Sequence, residues 1–152
     1  MMKFGPLPMR YGHDDGLLYF ERMENGFEIA IINVRGSHPC GYVNVPESFL
    51  KKFGTPDLDY NMWFADGAHG GFTYASRELE TKNFLSNGFW LGWDYAHYGD
   101  YTCIVDPNTG KPIFPKHEFE NEYTTEEVIE DAYSVVETLQ YDNTDEFDRE
   151  EE

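Results

Sequence analysis

The dipeptide Asn25-Gly26 stands between Leu17-Leu18-Tyr19-Phe20-Glu21-Arg22 and Phe27-Glu28-Ile29-Ala30-Ile31-Ile32-Asn33-Val34, two runs rich in aromatic and β-branched side chains. Asn and Gly both accept the positive φ of a tight turn, and the flanking runs suit a pleated surface, so the segment reads as a β-hairpin. That reading commits the chain to an antiparallel sheet. Gly41-Tyr42-Val43-Asn44-Val45 alternates with period two and stops at Pro46, which has no N–H to give a ladder, and reads as a third strand. Gly70-Gly71-Phe72-Thr73-Tyr74 and Gly88-Phe89-Trp90-Leu91-Gly92-Trp93 are two further strand candidates, separated by a polar, exposed connection over 77–87. Phe49–Tyr60, broken by Gly54 and Pro56, is expected as a loop or a short helix.

The clearest helix comes last. Thr124-Thr125-Glu126-Glu127 matches a capping box, and Val128, Ala132, Val135, Val136 and Leu139 follow at spacings of three and four, making one apolar stripe. A stripe of that width needs a sheet to cover. The expected fold is therefore α+β: a small, mainly antiparallel sheet with a C-terminal helix packed on one face. Residues 1–16, with Pro6, Pro8 and three glycines, are expected as an N-terminal arm, 17–141 as a single α+β domain, and 142–152 as a mobile acidic tail.

Composition narrows the class. Of 152 residues, 17% are aromatic, enough large rings to offset chain entropy by burial and to exclude general disorder. Cys40 and Cys103 are far apart and form no CxxC, which excludes a cysteine zinc site and a disulfide framework and fits a reducing cytoplasm. Cys40, two residues from His38, reads as a structural cysteine. No apolar run reaches the length of a membrane span, and the first residues lack the apolar core of a signal peptide, so a cytoplasmic protein is expected.

Acidity is the other bound. The formal net charge is −18, and it is uneven: residues 1–76 hold 6 basic and 9 acidic side chains, residues 77–152 hold 5 and 20. Such a surface excludes direct nucleic-acid binding through a basic patch and favours partners with a basic surface.

Two segments concentrate chemistry. Trp93-Asp94-Tyr95-Ala96-His97-Tyr98-Gly99-Asp100 follows a strand candidate, and Asp66-Gly67-Ala68-His69-Gly70-Gly71 precedes another. If those two strands pair, the segments converge. His69, Asp94, His97 and Asp100 then offer two nitrogens and two carboxylates, a ligand mix suited to a divalent zinc, manganese or iron ion. The same groups suit acid–base catalysis, with Asp94 or Asp100 orienting the His97 imidazole. They equally suit loop architecture, where Asp accepts backbone N–H bonds and Gly70, Gly71 and Gly99 supply positive φ. His69, Gly70, Gly71, Tyr95 and Tyr98 are the candidate binding residues. Trp90, Trp93, Tyr95, Tyr98 and Tyr101 form either an aromatic wall for stacking or, more ordinarily, part of the core. Arg35 and Arg77 are the nearest basic helpers for an anionic substrate by sequence.

Four blocks in order, Gly41-Tyr42-Val43-Asn44-Val45-Pro46, His69-Gly70-Gly71-Phe72-Thr73-Tyr74, Trp90 to Asp100 and the helix ending Thr138-Leu139-Gln140, resemble a family of small bacteriophage and prophage proteins. The family pattern is GYV-x-VP, HGG-x-TY, G-F-D-x-x-H-x-G-D and a closing helix. Trp93 stands where the family has Phe, Glu47-Ser48 replaces a His-Pro pair, and the acidic stretch after Gln140 is an addition. The resemblance implies action inside an infected bacterium and carries no activity with it.

Two functions follow as expectations. One is an accessory protein that binds a host or phage factor, an acidic inhibitor of a nucleic-acid-dependent defence system. The other is a small metal-dependent hydrolase acting on a nucleotide or phosphate ester through His69, Asp94, His97 and Asp100.

Overall fold

The computed structural model of the chain describes residues 3–4, 16–34, 37–56, 65–77, 88–102, 106, 108–109, 111 and 113–151, with side chains described over 16–140 of these. The hairpin forms where Asn25-Gly26 places it: β2 (Gly16–Arg22) pairs antiparallel with β3 (Glu28–Val34). Its turn is longer than the two-residue type expected. Met23 N donates to Phe27 O at 2.8 Å and Gly26 N to Met23 O at 3.1 Å, enclosing Glu24-Asn25-Gly26. Gly26 takes φ of 92° and Asn25 Oδ1 accepts from Phe27 N at 3.0 Å, so this is a three-residue loop ending in a left-handed glycine.

With β1 (Lys3–Phe4), β4 (His38–Val45), β5 (Tyr74–Ser76) and β6 (Phe89–Asp94), the described residues form a six-stranded sheet. Its order is β1-β2-β3-β4-β6-β5, with every neighbouring pair antiparallel. Within the stretch expected as an arm, Lys3 and Phe4 pair with Glu21 and Phe20, whereas 5–15 lie outside the described residues. β3 is central and apolar without alternation because both its faces are covered. Ile29 and Ile31 join the larger core, and Ala30 and Ile32 join a second cluster with Phe20 and Trp90 on the other face. Its one charge, Glu28, is buried and accepts from Arg22 Nε at 2.7 Å and Asn44 Nδ2 at 2.8 Å, which is how a sheet interior tolerates a carboxylate.

Pro46 ends β4 and opens α1 (Glu47–Phe53), so the segment expected as a loop or short helix over 49–60 is helical as far as Phe53, where Gly54 N donates to Leu50 O, and 57–60 lie outside the described residues. The following α2 runs Thr125–Glu151. Its capping box is formed: Glu127 N donates to Thr124 Oγ1 at 3.1 Å, and Thr124 N donates to Glu127 Oε1 at 3.0 Å. Val128, Ala132, Val135, Val136 and Leu139 are all buried against β2, β3 and β4 with Leu18, Ile29, Val43 and Leu91. The backbone of 142–151 continues this helix, where composition marks a tail; a helix nucleated by capped, packed turns adds one backbone bond per further residue. Among the described residues, no helix is long and apolar enough to cross a membrane.

Two strands positioned by sequence shift in detail. Gly70 and Gly71 are turn residues with φ of 75° and 90°, so the strand expected at 70–74 begins only at Tyr74. The β6 expectation holds nearly to the residue. Trp93 lies over Gly41, its cross-strand partner, so closely that a Cβ at position 41 would overlap the indole. Glycine there is a packing requirement of the tryptophan.

Candidate functional site

Pairing of β5 with β6 brings the two chemical segments together. Tyr74 faces Gly92, and Thr73 N donates to Gly92 O at 2.8 Å, so the residues before β5 and after β6 meet at one end of the sheet. Thr73 Oγ1 donates to Asp94 Oδ2 at 3.2 Å and closes that corner. A parallel bridge between Asp100 and Asn121 ties the later strap, 113–123, to the same end.

Asp100 is the centre of the site. Its side chain is only 4% exposed, and its carboxylate meets His69 Nε2 at 3.0 and 2.9 Å, His97 N at 3.0 Å and His97 Nδ1 at 3.3 Å. The two histidines keep a route to solvent, at 29% and 38% side-chain exposure. His69 is held flat on Tyr95, with ring centroids 4.7 Å apart and planes at 8°, and touches His97 edgewise and Tyr123 at a tilt. Gly70 lies against the His97 ring, where a Cβ would come within 2.5 Å of Cε1.

Behind the histidines is a hydrogen-bonded chain. Trp93 Nε1 donates to Tyr95 Oη at 3.0 Å, and Tyr95 Oη donates to Asp131 Oδ2 at 2.5 Å. Burial pushes the Tyr95 hydroxyl well above the ordinary tyrosine range, with its bond to Asp131 adding to the rise, so Tyr95 is a neutral donor at physiological pH. Burial also raises Asp131, while the Tyr95 bond and the nearby His69 pull it down and Glu127 and Glu130 push it up. Tyr123 is raised by burial and then by Asp100, Asp131 and Glu127.

The candidate residues thus divide. His69, His97 and Asp100 come together, each offering one ligand atom within 4.8 Å of the others. Asp94 stands to one side: its Oδ1 caps the turn by accepting from Ala96 N at 3.1 Å and lies 3.7 Å from His97 Nε2. Gly70, Gly71 and Gly99 all carry positive φ in the surrounding turns. Trp90, Trp93, Tyr95 and Tyr101 are buried, whereas Tyr98 projects outward at 95% exposure. Arg77 pairs with Glu47 and donates to Gly88 O at 3.0 Å, at the opposite end of β6 from the histidines, and Arg35 lies outside the described residues.

Outside the cluster, on the same turn, rings stack in the open. Tyr98 stacks on Phe119 at 5.6 Å, and His117 stacks on the same Phe119 at 5.7 Å. Phe119, Phe114 and Ile113 are each more than half exposed. The strap that carries them is held by Tyr101 Oη donating to Phe114 O at 2.5 Å and by Lys116 Nζ donating to Glu120 O at 3.0 Å.

Sequence reasoning missed Asp131, Tyr123 and the strap. Asp131 was recoverable: it lies three residues after Val128 and four before Val135, on the border of the apolar stripe rather than opposite it. Nothing in the spacing of 113–123 marks it as a neighbour of His97.

Fold and site together define an α+β sheet-and-helix protein with a histidine–aspartate cluster at one sheet end and an exposed ring stack beside it. Comparison with family models, curated proteins and solved structures finds no match to this chain.

Proposed function

We propose that the protein is a phage-type accessory factor that works by binding a host or phage protein with a basic surface, as an acidic inhibitor of a nucleic-acid-dependent defence system. The observation that carries the binding reading is the exposed stack of Tyr98, Phe119 and His117, on a strap that also exposes Phe114. Rings left in water on a protein with ample core are unusual, and contiguous exposed apolar surface commonly marks a contact site. On a chain of net charge −18, the complementary partner surface is cationic: arginines stack on ring faces, and long-range attraction speeds encounter. Action inside the bacterial cytoplasm belongs to the same proposal and rests on the family resemblance.

The test is a titration of the full chain against a panel of basic nucleases and other defence effectors at rising salt. A saturable complex that weakens with salt, and that loses about 2 kcal/mol or more in a Tyr98→Ser/Phe119→Ser double variant, is expected for a central aromatic contact. A complex indifferent to both changes would overturn the reading.

A second reading, a metal-dependent hydrolase of a nucleotide or phosphate ester, is favoured by the convergence of His69, His97 and Asp100. It predicts that phosphate-ester turnover appears on adding a divalent metal and vanishes in His97→Gln.

A further inference from the structure

We infer that His69, His97 and Asp100 form a binding site for one divalent transition-metal ion, independent of any protein partner. The donor set is two imidazoles and a carboxylate, the mix that suits zinc, manganese and iron. Metal–ligand bonds of roughly 2.0–2.2 Å in a tetrahedral arrangement put ligand atoms roughly 3.4 Å apart. The observed separations from Asp100 oxygens are 2.9 and 3.0 Å to His69 Nε2 and 3.3 Å to His97 Nδ1, and every ligand atom lies within 4.8 Å of the others, so shifts of a few tenths of an ångström to about one ångström complete the cage.

The local geometry directs both ring nitrogens at one carboxylate, where a shared cation would sit. His69 Nε2 is almost equidistant from both carboxylate oxygens and so is aligned with neither lone pair. Asp100 accepts from His97 N and turns its remaining lone pairs toward the two ring nitrogens, in a position nearly out of water. A cation takes the place of both protons and compensates the buried charge.

The ligands are also preorganised and reachable. Tyr95 and Tyr123 fix the His69 plane, Gly70 seats the His97 ring, and Asp94 Oδ1 lies 3.7 Å from His97 Nε2, the ring nitrogen turned away from Asp100, as an outer carboxylate that favours a metal-bound imidazole. Partial exposure of both rings leaves a side open for the ion and for a fourth ligand from solvent. The field of an acidic chain concentrates cations near it.

The experiment is Co2+ titration of untagged full-length protein after chelator dialysis, read by visible ligand-field absorption, followed by Zn2+ competition. Absorption saturating at one equivalent and displaced by Zn2+ is expected. His69→Gln and His97→Gln should each weaken binding by at least about 100-fold, the upper range for losing even an outer-shell partner. His38→Gln, which removes an imidazole outside the cluster, should bind as the wild type does. Because a histidine variant could lose its fold, wild-type imidazole NMR resonances provide the second measurement: Zn2+ should shift those of His69 and His97 and leave His38 and His117 in place. Absence of saturable binding, or equal binding in both Gln variants while folded, or shifts spread over all five histidines of the chain, would overturn the site.

Discussion

Tyr95 connects the core to the site through one oxygen. Its hydroxyl receives the Trp93 indole N–H and donates to Asp131, while its ring face carries His69. Tyr95→Phe keeps the ring and strands the buried indole N–H, so a loss of about 1–3 kcal/mol is expected in denaturant unfolding, with the His69 stack intact. Gly70 is constrained twice, by φ of 75° and by contact with the His97 ring. Gly70→Ala should cost about 1–3 kcal/mol from the left-handed backbone alone, and should move the His97 ring resonances while those of His38 stay fixed. If His97 does not move, its ring is not seated by Gly70. At this scale the sequence was informative about residue types and silent about directions. Asp94 at the end of β6 and Asp100 in the turn that follows carry the same side chain, yet one caps that turn and the other is buried between two imidazoles. That choice depends on the Asp100–Asn121 bridge, a contact between segments that no local pattern links.

The helix and the hairpin were legible because each is specified locally. The Thr124 capping box and the stripe from Val128 to Leu139 need only helical geometry, and Asn25-Gly26 needs only a turn. The start of β5 was not legible, since Gly70 and Gly71 lead directly into Phe72-Thr73-Tyr74 in the sequence but are bent by positive φ in the structure. Thr124→Ala removes the hydroxyl acceptor for Glu127 N and should destabilise the protein by about 1 kcal/mol, measured by thermal unfolding. Asp131, on the same helix, gives a pH signature. Its carboxyl is held above the ordinary value chiefly by burial, so the folded state binds its proton more tightly than the unfolded state does. Stability contributed by this group is therefore greatest at low pH and falls as pH rises from the unfolded value through the folded one. Asp131→Asn keeps an acceptor for Tyr95 and removes the titration. The wild type should lose stability relative to this variant as pH rises from about 4 toward neutrality. A gap between the two profiles that is constant with pH would remove burial as the dominant influence on Asp131.

At the scale of the whole molecule, one quantity acts on stability and on binding with opposite signs. Only 11 basic residues face 29 acidic ones, and 14 of the acidic ones lie in 118–151, on the strap and α2. Repulsion within this segment opposes the folded state, because folding fixes α2 against a sheet that carries its own carboxylates. Added salt shortens the screening length from roughly 10 Å at 0.1 M to roughly 3 Å at 1 M and weakens that repulsion. Among the described residues, few Arg–carboxylate pairs are lost in exchange: the Arg77–Glu47 pair is about half exposed and contributes little, and the Arg22–Glu28 pair is shielded on its glutamate side. The midpoint of thermal unfolding should therefore rise with sodium chloride, steepest below about 0.2 M, while attraction to a basic partner falls over the same range. The two slopes separate causes that a binding assay alone confounds. If salt merely loosened the protein, affinity and Tm would fall together; a Tm that climbs while the complex weakens places the salt effect in the charge complementarity between acidic surface and basic partner. A Tm that stays flat or declines would mean that attractive pairs outweigh repulsion in the folded chain, and that its acidity is locally compensated.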